Sequence, residues 1–307
     1  MEKEELEFWS RQLKQEILSR HKAGNRSWTV IPGLNLSCLT EDTINMNCFY
    51  TLSAALILQG EKRVRVGDRT YAYGAGTMVV TSVDVPTAFS IEADPEHPFL
   101  SMSLKLDPFL LAELMPQVSG EPRVQAGQDN EADAGSFLVT HSTAEILEEF
   151  AHLLKLTDSE AKRSVMLPGV LRNIHYLVLS HNAAINLRQF CDTRLPVARI
   201  AKAVSWIRGH YREPISVEYL AGLSAMALST FHQHFRNITS ITPLQYQKRL
   251  RLNEARRLMI SEGRSASEAA FEVGYESVQQ FNREYKRLFG APPVRDAKQA
   301  IEGHKGH

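Results

Sequence analysis

Cysteine is scarce in this 307-residue chain: Cys38, Cys48 and Cys191 stand far apart and form no Cys-x-x-Cys pair. An odd, scattered set argues against a disulfide framework or a thiolate zinc site and fits a reducing compartment. Long apolar runs are missing too, with nothing near the roughly 18 uninterrupted apolar residues of a membrane span. The opening MEKEELEFWSRQLKQEILSR is a charged amphipathic helix, not a basic flank before an apolar signal run. A cytoplasmic chain without membrane contact is therefore expected. Catalytic signatures are also lacking. No Ser-His-Asp set, P-loop or Gly-rich dinucleotide motif is present, and the strand-like region has only His97, beside Pro98 in a turn. No catalytic residue, metal or cofactor is expected, which argues against an enzyme, including a cupin-type metal enzyme.

What is present begins with an uneven charge. The net charge is zero, yet residues 195–307 carry 17 Lys and Arg against 10 Asp and Glu, about +7, and the remainder carries about −7. A basic C-terminal part on an acidic partner points to a polyanion ligand for the former. The length fits about two domains. Strand-like runs at 46–58, 63–66, 70–73, 77–82, 88–92 and 100–106 are punctuated by turn residues such as Gly67-Asp68. They predict a small β-barrel or sandwich over about 28–106. A polar stretch at 116–135 reads as a loop. A helical part follows over about 136–190, with apolar stripes at Ile146, Leu147, Phe150, Leu153, Leu154 and at Leu167, Val170, Leu171, Ile174, Leu177, Val178. These stripes serve either the chain's own core or a dimer seam.

The C-terminal region repeats itself with a period of fifty residues. Phe231-x3-Phe235 and Pro243 reappear as Phe281-x3-Tyr285 and Pro293. A short helix with Leu220-Ala221 or Ala269-Ala270 precedes each, and a tight turn follows at Ala225-Met226 or Gly274-Tyr275. Helix, short turn and helix is a shape that places a second helix in the major groove. Opposite the apolar faces lie Ser229, His232, Gln233 and Arg236 on the first second-helix, and Gln279, Asn282, Arg283 and Lys286 on the other. Gln and Asn can pair with adenine, Arg with guanine, and Lys with phosphate. Either face alone could be a solvated surface; the same arrangement twice favours DNA reading. Residues 243–260 join the units as one helix, in which Lys248, Arg249, Arg251, Arg256 and Arg257 either add backbone electrostatics or pair with acids such as Glu254.

Over about 197–295 these residues resemble the AraC/XylS family of bacterial transcription regulators, through FHQHF at 231–235, EARRL at 254–258, VGYES at 273–277 and REYKRLFGAPP at 283–293. The N-terminal half resembles one subfamily's regulatory domain, through IPGL at 31–34, LQGEKRVRVGD at 58–68, TSVDVP at 81–86 and MLPGVLR at 166–172. The resemblance implies a two-domain α+β chain. Residues 1–191 form a cupin-like β-barrel or sandwich with flanking helices that binds an effector and dimerises. Residues 192–196 are a linker, 197–296 an all-α double helix-turn-helix domain, and 297–307 a tail. It further implies double-stranded promoter DNA, an unidentified small-molecule effector, a second copy of the chain and RNA polymerase as partners, with activation as one mode of action. Departures stand at Ala225 and Ala227, where the family usually has Gly and a capping Ser, and at Gln233 and Ser240. Effector contacts are sought among Cys48, Tyr50, Leu56, Met78, Val80, Phe89 and Met102, residues that also suit an ordinary core. Cys48 is the nearest candidate for a sensor thiol, against the role of a small buried hydrophobe. A DNA-binding dimer without a ligand is the alternative.

Overall fold

The computed structural model describes residues 2–20, 27–29, 31–118, 137–181, 187 and 195–305. After helix α1 (Glu2–Arg20), ten strands form two antiparallel sheets: β1 (Ser27–Thr29), β2 (Leu34–Leu39), β3 (Thr43–Tyr50), β4 (Ser53–Gln59), β5 (Glu61–Val66), β6 (Arg69–Gly74), β7 (Thr77–Thr81), β8 (Val85–Glu92), β9 (Phe99–Lys105) and β10 (Phe137–His141). One sheet runs β1-β2-β9-β4-β7-β10 and the other β3-β8-β5-β6. The domain is thus a sandwich. Successive strand residues point to opposite faces, so β4 sends Leu56 and Leu58 to the helices and Ile57 toward the second sheet.

Helices α2 (Pro108–Val118), α3 (Ala144–Lys155) and α4 (Glu160–Ser180) join α1 over the six-stranded sheet. Phe150, Leu153, Ile174 and Val178 pack there with Leu36 and Met102. The apolar stripes of α3 and α4 therefore pack into the chain's own core, with Leu167, Leu171 and Leu177 half-buried at its edge. His175 is buried in this layer; its Nε2 accepts from Asp107 N–H and its Nδ1 lies against Leu171 O, both at 2.7 Å.

Several sequence expectations change. The run 46–58 is two strands, because Leu52 N–H donates to Asp84 Oδ1 at 3.0 Å and turns the chain between them. Strands β1, β2 and β10 and helix α2 add to the expected set. Residues 116–118 complete α2, and 119–135 of the expected loop lie outside the described residues. Of the expected linker, 192–194 lie outside the described residues; Leu195 caps helix α5 (Pro196–Gly209), and Pro196 is its first residue. The expected tail is helical to its residue 305, within α11 (Pro293–Lys305). That helix is anchored at Asp296, which accepts from Arg256 Nε at 2.7 Å and Tyr285 Oη at 2.6 Å.

The remaining helices are α6 (Val217–Leu223), α7 (Leu228–Thr239), α8 (Pro243–Ser261), α9 (Ala266–Glu272) and α10 (Val278–Phe289). Helix α8 starts at a capping box between Thr242 and Gln245 with Pro243 in its first turn, an arrangement that pre-sets helical geometry. At 19 residues it spans about 28 Å. It has one core at each end: Phe231, Phe235, Ile207 and Tyr246 on one side, Phe281, Tyr285, Ala255 and Leu258 on the other. No described helix is long and apolar enough to cross a membrane.

Candidate functional site

The two helix-turn-helix units share their backbone wiring. In the first, Ala225 N–H donates to Gly222 O at 2.9 Å and Met226 N–H to Ala221 O at 3.0 Å; in the second, Gly274 N–H donates to Phe271 O and Tyr275 N–H to Ala270 O, both at 3.0 Å. The offset is 49 residues before the turn and 50 after it, where Phe231 matches Phe281 and Phe235 matches Tyr285. All four rings are fully buried. That burial fixes the rotation of each second helix.

The opposite faces are open. Ser229, His232, Gln233 and Arg236 on α7, and Gln279, Asn282, Arg283 and Lys286 on α10, are all exposed. Among the described residues, no hydrogen bond or ion pair ties up any of these side chains. The cations of α8 behave differently. Lys248 pairs with Glu284 at 2.8 Å, Arg256 with Asp296 at 2.7 Å, and Arg257 with Glu254 at 2.7 Å and Glu262 at 2.9 Å. Arg251 donates to the carbonyls of Tyr211, Gly274, Arg212 and Glu213. Lys248, Arg251 and Arg256 hold the strut to its neighbours, and Arg257 pairs within the helix and with its cap residue Glu262.

The units differ at their ends. Ser277 caps α10 by accepting from Gln280 N–H at 3.3 Å, whereas Ala227 caps α7 with no side-chain bond. Gly274 and Gly290 take left-handed backbone in the second unit; Ala225 (φ +49°) and Ser240 (φ +65°) take it in the first. A side chain there is strained where glycine is not. Gly274 also makes a close approach: a Cβ on it would overlap the carbonyl of Arg212.

The seven proposed effector residues divide between the helix-covered face of the six-stranded sheet and the space between the sheets. Leu56, Met78, Val80 and Met102 lie under the helices. Cys48, Tyr50 and Phe89 lie on the second sheet, and Tyr50 and Phe89 pack against the inter-sheet core. Cys48 Sγ and Thr87 Oγ1 are 3.0 Å apart, and burial pushes the Cys48 thiol above its ordinary value, away from the thiolate that sensing chemistry needs. One residue of this space escaped the sequence reading. Lys62 is flanked by Glu61 and Arg63, so the stretch looks like a charged edge. Its alternation with buried Val64 and Val66 was the available signal. The Lys62 ammonium is 4.1 Å from the Phe89 ring centroid, 5.2 Å from Tyr50 and 5.8 Å from Phe99.

Strand β3 connects the two regions. Cys48 and Tyr50 face the inter-sheet space, while Asn47 and Phe49 face the helical half. Asn47 Nδ2 donates to Leu288 O of α10 at 3.0 Å, and Phe49 meets Tyr246 edge-on at 5.4 Å between centroids. Asp84 adds an ion pair with Arg208, and its carbonyl accepts from Tyr246 Oη at 3.0 Å. The Gly67 turn of the β5–β6 hairpin abuts Ser240, so closely that a Cβ at Gly67 would overlap the serine side chain.

Residues 30–185 match the family model described as AraC-type transcriptional regulator N-terminus, and 220–299 match a helix-turn-helix domain model. The chain is 33% identical over 96 residues to the HTH-type transcriptional activator RhaS of Escherichia fergusonii, covering 31% of this chain and 34% of that protein. It is 30% identical over 96 residues to RhaS of an Enterobacter species, with the same coverage. These matches span about a third of the curated relatives' length. Among solved structures, apo ToxT of Vibrio cholerae superimposes with a TM-score of 0.61 at 11% identity, covering 86% of this chain and 96% of that one. ToxT bound to an unsaturated fatty acid gives 0.57 at 12% identity, over 90% and 97% of the two chains. At such identities the likeness establishes the two-domain fold.

Proposed function

The chain belongs to the AraC-type transcriptional regulators, and from that premise we propose that it binds promoter DNA sequence-specifically under the control of a small organic effector. One observation carries the DNA half: two identically wired helix-turn-helix units each present four polar side chains that the protein leaves unpaired. Helices α7 and α10 enter successive major-groove segments, with α8 as the strut between them. Base contacts come from Gln233, Arg236, Gln279, Asn282 and Arg283, and phosphate contacts from Lys286, with Ser229 and His232 at the groove edge. The regulator acts in the cytoplasm as a homodimer and recruits RNA polymerase. The name of the RhaS relatives as activators supports a positive sign.

The effector lies between the sheets, against Cys48, Tyr50 and Phe89. Leu56, Met78, Val80 and Met102 back the opposite, six-stranded sheet from its helix-covered side. A ligand shifts an equilibrium only through a difference in affinity for two arrangements. Strand β3 supplies that difference, since its Cys48 and Tyr50 face the ligand space while its Asn47 and Phe49 touch α10 and α8. A DNA-binding dimer without a ligand would leave this two-faced strand without a task.

Selection of bound sequences from random duplex DNA by the full-length protein tests the DNA reading. Two half-motifs about one helical turn apart are expected. Arg283→Ala should weaken the selected site by about 1–3 kcal/mol and relax preference at one base position. Binding that is sequence-indifferent and erased by moderate salt refutes it.

A further inference from the structure

The inter-sheet space holds a cation that no acid balances. Lys62 lies on β5 opposite Tyr73 of β6 and Ile91 of β8. It makes no ion pair or hydrogen bond among the described residues. The acids beside it on the strands, Glu61 and Glu92, are exposed, and Glu92 lies 3.6 Å from Arg63. Aromatic faces partly offset the loss of water around an ammonium; they do not supply an acceptor for its N–H groups. Burial pulls the Lys62 ammonium down to about 8, so near neutrality it remains mostly charged.

A second donor lies beside it unused. Tyr50 Oη is buried with no partner within hydrogen-bond distance; the Tyr73 hydroxyl is its polar neighbour, and the Tyr50 ring is itself one wall of the cage around Lys62. Buried polar groups are nearly always paired, and an exception calls for an explanation. Here a cation and a phenol hydroxyl converge within a shell of rings, with Phe137 stacked on Tyr50 at 5.9 Å. Two donors with no anionic acceptor suit an anion with at least two lone-pair-bearing oxygens, and the rings suit an apolar body attached to it.

We propose that Lys62 and Tyr50 anchor the carboxylate of the effector, a small monocarboxylic acid whose apolar body lies among Phe89, Phe99 and Phe137. This rests on the effector reading above and names the ligand's chemical class. The carboxylate takes a charge-assisted bond from Lys62 and a second from Tyr50. Because Tyr50 and Cys48 share β3 with Phe49 and Asn47, seating the acid bears on the strand that touches α8 and α10.

The test uses the full-length protein and calorimetric titration with cinnamate and octanoate, each beside its primary amide. At least one acid should bind, about tenfold or more tighter than its amide; the stronger of the two shows whether the body is aromatic or aliphatic. Lys62→Met keeps the apolar stem and removes the charge. It should weaken the acid by about thirtyfold or more and leave the amide within about twofold. Lys62→Arg should recover part of the loss. If Lys62→Met does not fold, Tyr50→Phe carries the test with an expected loss of about three- to tenfold. Equal binding of acid and amide, unchanged acid affinity in Lys62→Met, or no acid binding up to about 10 mM overturns the proposal. Titrating operator DNA in parallel separates this failure from that of the effector reading. Amides that shift operator affinity as well as acids do leave an effector but no carboxylate anchor. Acid that binds through Lys62 without moving operator affinity leaves the anchor but no regulation.

Discussion

Replacing Ala225 with Gly and Ala227 with Ser would give the first helix-turn-helix unit the turn chemistry that the second already has. Ala225 holds φ at +49° where Gly274 holds +90°. A side chain in that region costs about 1 kcal/mol that glycine avoids. Ala227 precedes α7 without a side-chain acceptor, and restoring a Ser cap is worth about 1 kcal/mol. Both residues are exposed, so neither change needs room in the core. If the two add, α7 gains about 2 kcal/mol, or roughly thirtyfold in its local opening equilibrium. Positions in one turn can couple, so the single variants complete a cycle. Amide hydrogen exchange on the full-length protein reads the result helix by helix. The double variant should slow exchange in Leu228–Thr239 by roughly thirtyfold while Val278–Phe289 is unchanged. Unaltered exchange in the first of these helices would refute the reasoning, because it would mean that neither the left-handed alanine nor the missing cap limits its stability.

Three further outcomes follow from close packing and burial. Gly274→Ala should destabilise by about 3 kcal/mol or more, from left-handed backbone plus overlap with Arg212 O, whereas Gly290→Ala, with open space around it, should cost only about 1 kcal/mol. Equal losses in thermal unfolding would show that the close approach at Gly274 is not felt. Gly67→Ala should leave the sandwich folded by circular dichroism but part it from Ser240, enlarging the radius of gyration in small-angle scattering and changing operator affinity; no change in either measurement refutes the contact. His175 is held neutral by burial, with its pKa below the ordinary value. The unfolded chain therefore takes up this proton first, and stability should be full above pH ~6.5 and fall as pH drops from there toward the folded pKa. His181 shifts in the same direction through burial. Replacing His175 with Gln should flatten the decline in midpoint temperature between pH 7 and 5 by part, and an unchanged slope refutes its role.

The helical half was legible because each element announces itself locally. Phe231 and Phe235 recur as Phe281 and Tyr285, and Pro243 and Pro293 each open a helix. The eight residues proposed to contact DNA followed from that period, and all are exposed. The sandwich was less legible where long-range partners decide. Strand β10 is five residues pairing with β7 from Phe137 to Thr81, across a polar stretch that hides the connection. The break between β3 and β4 contains no glycine or proline and depends on the Asp84 carboxylate, 32 residues away. Helix α2 carries Pro116 near its end, beside residues that read as loop. Which face Leu56, Met78, Val80 and Met102 would line could not be read either, since a two-sided sheet offers apolar residues to both.

The alternation along β3 also restricts how this protein can diverge or be recombined. Inserting or deleting one residue there would exchange its two faces, putting Phe49 among the tyrosines and Cys48 against α8. Substitution can retune either face separately; a change of length scrambles both at once. Chimaeras that graft a foreign sensing domain onto this reading domain must therefore take β3 whole and rebuild its outward residues to suit Tyr246 and Leu288. A junction placed only in the segment between the domains would lose the Asn47–Leu288 and Phe49–Tyr246 contacts.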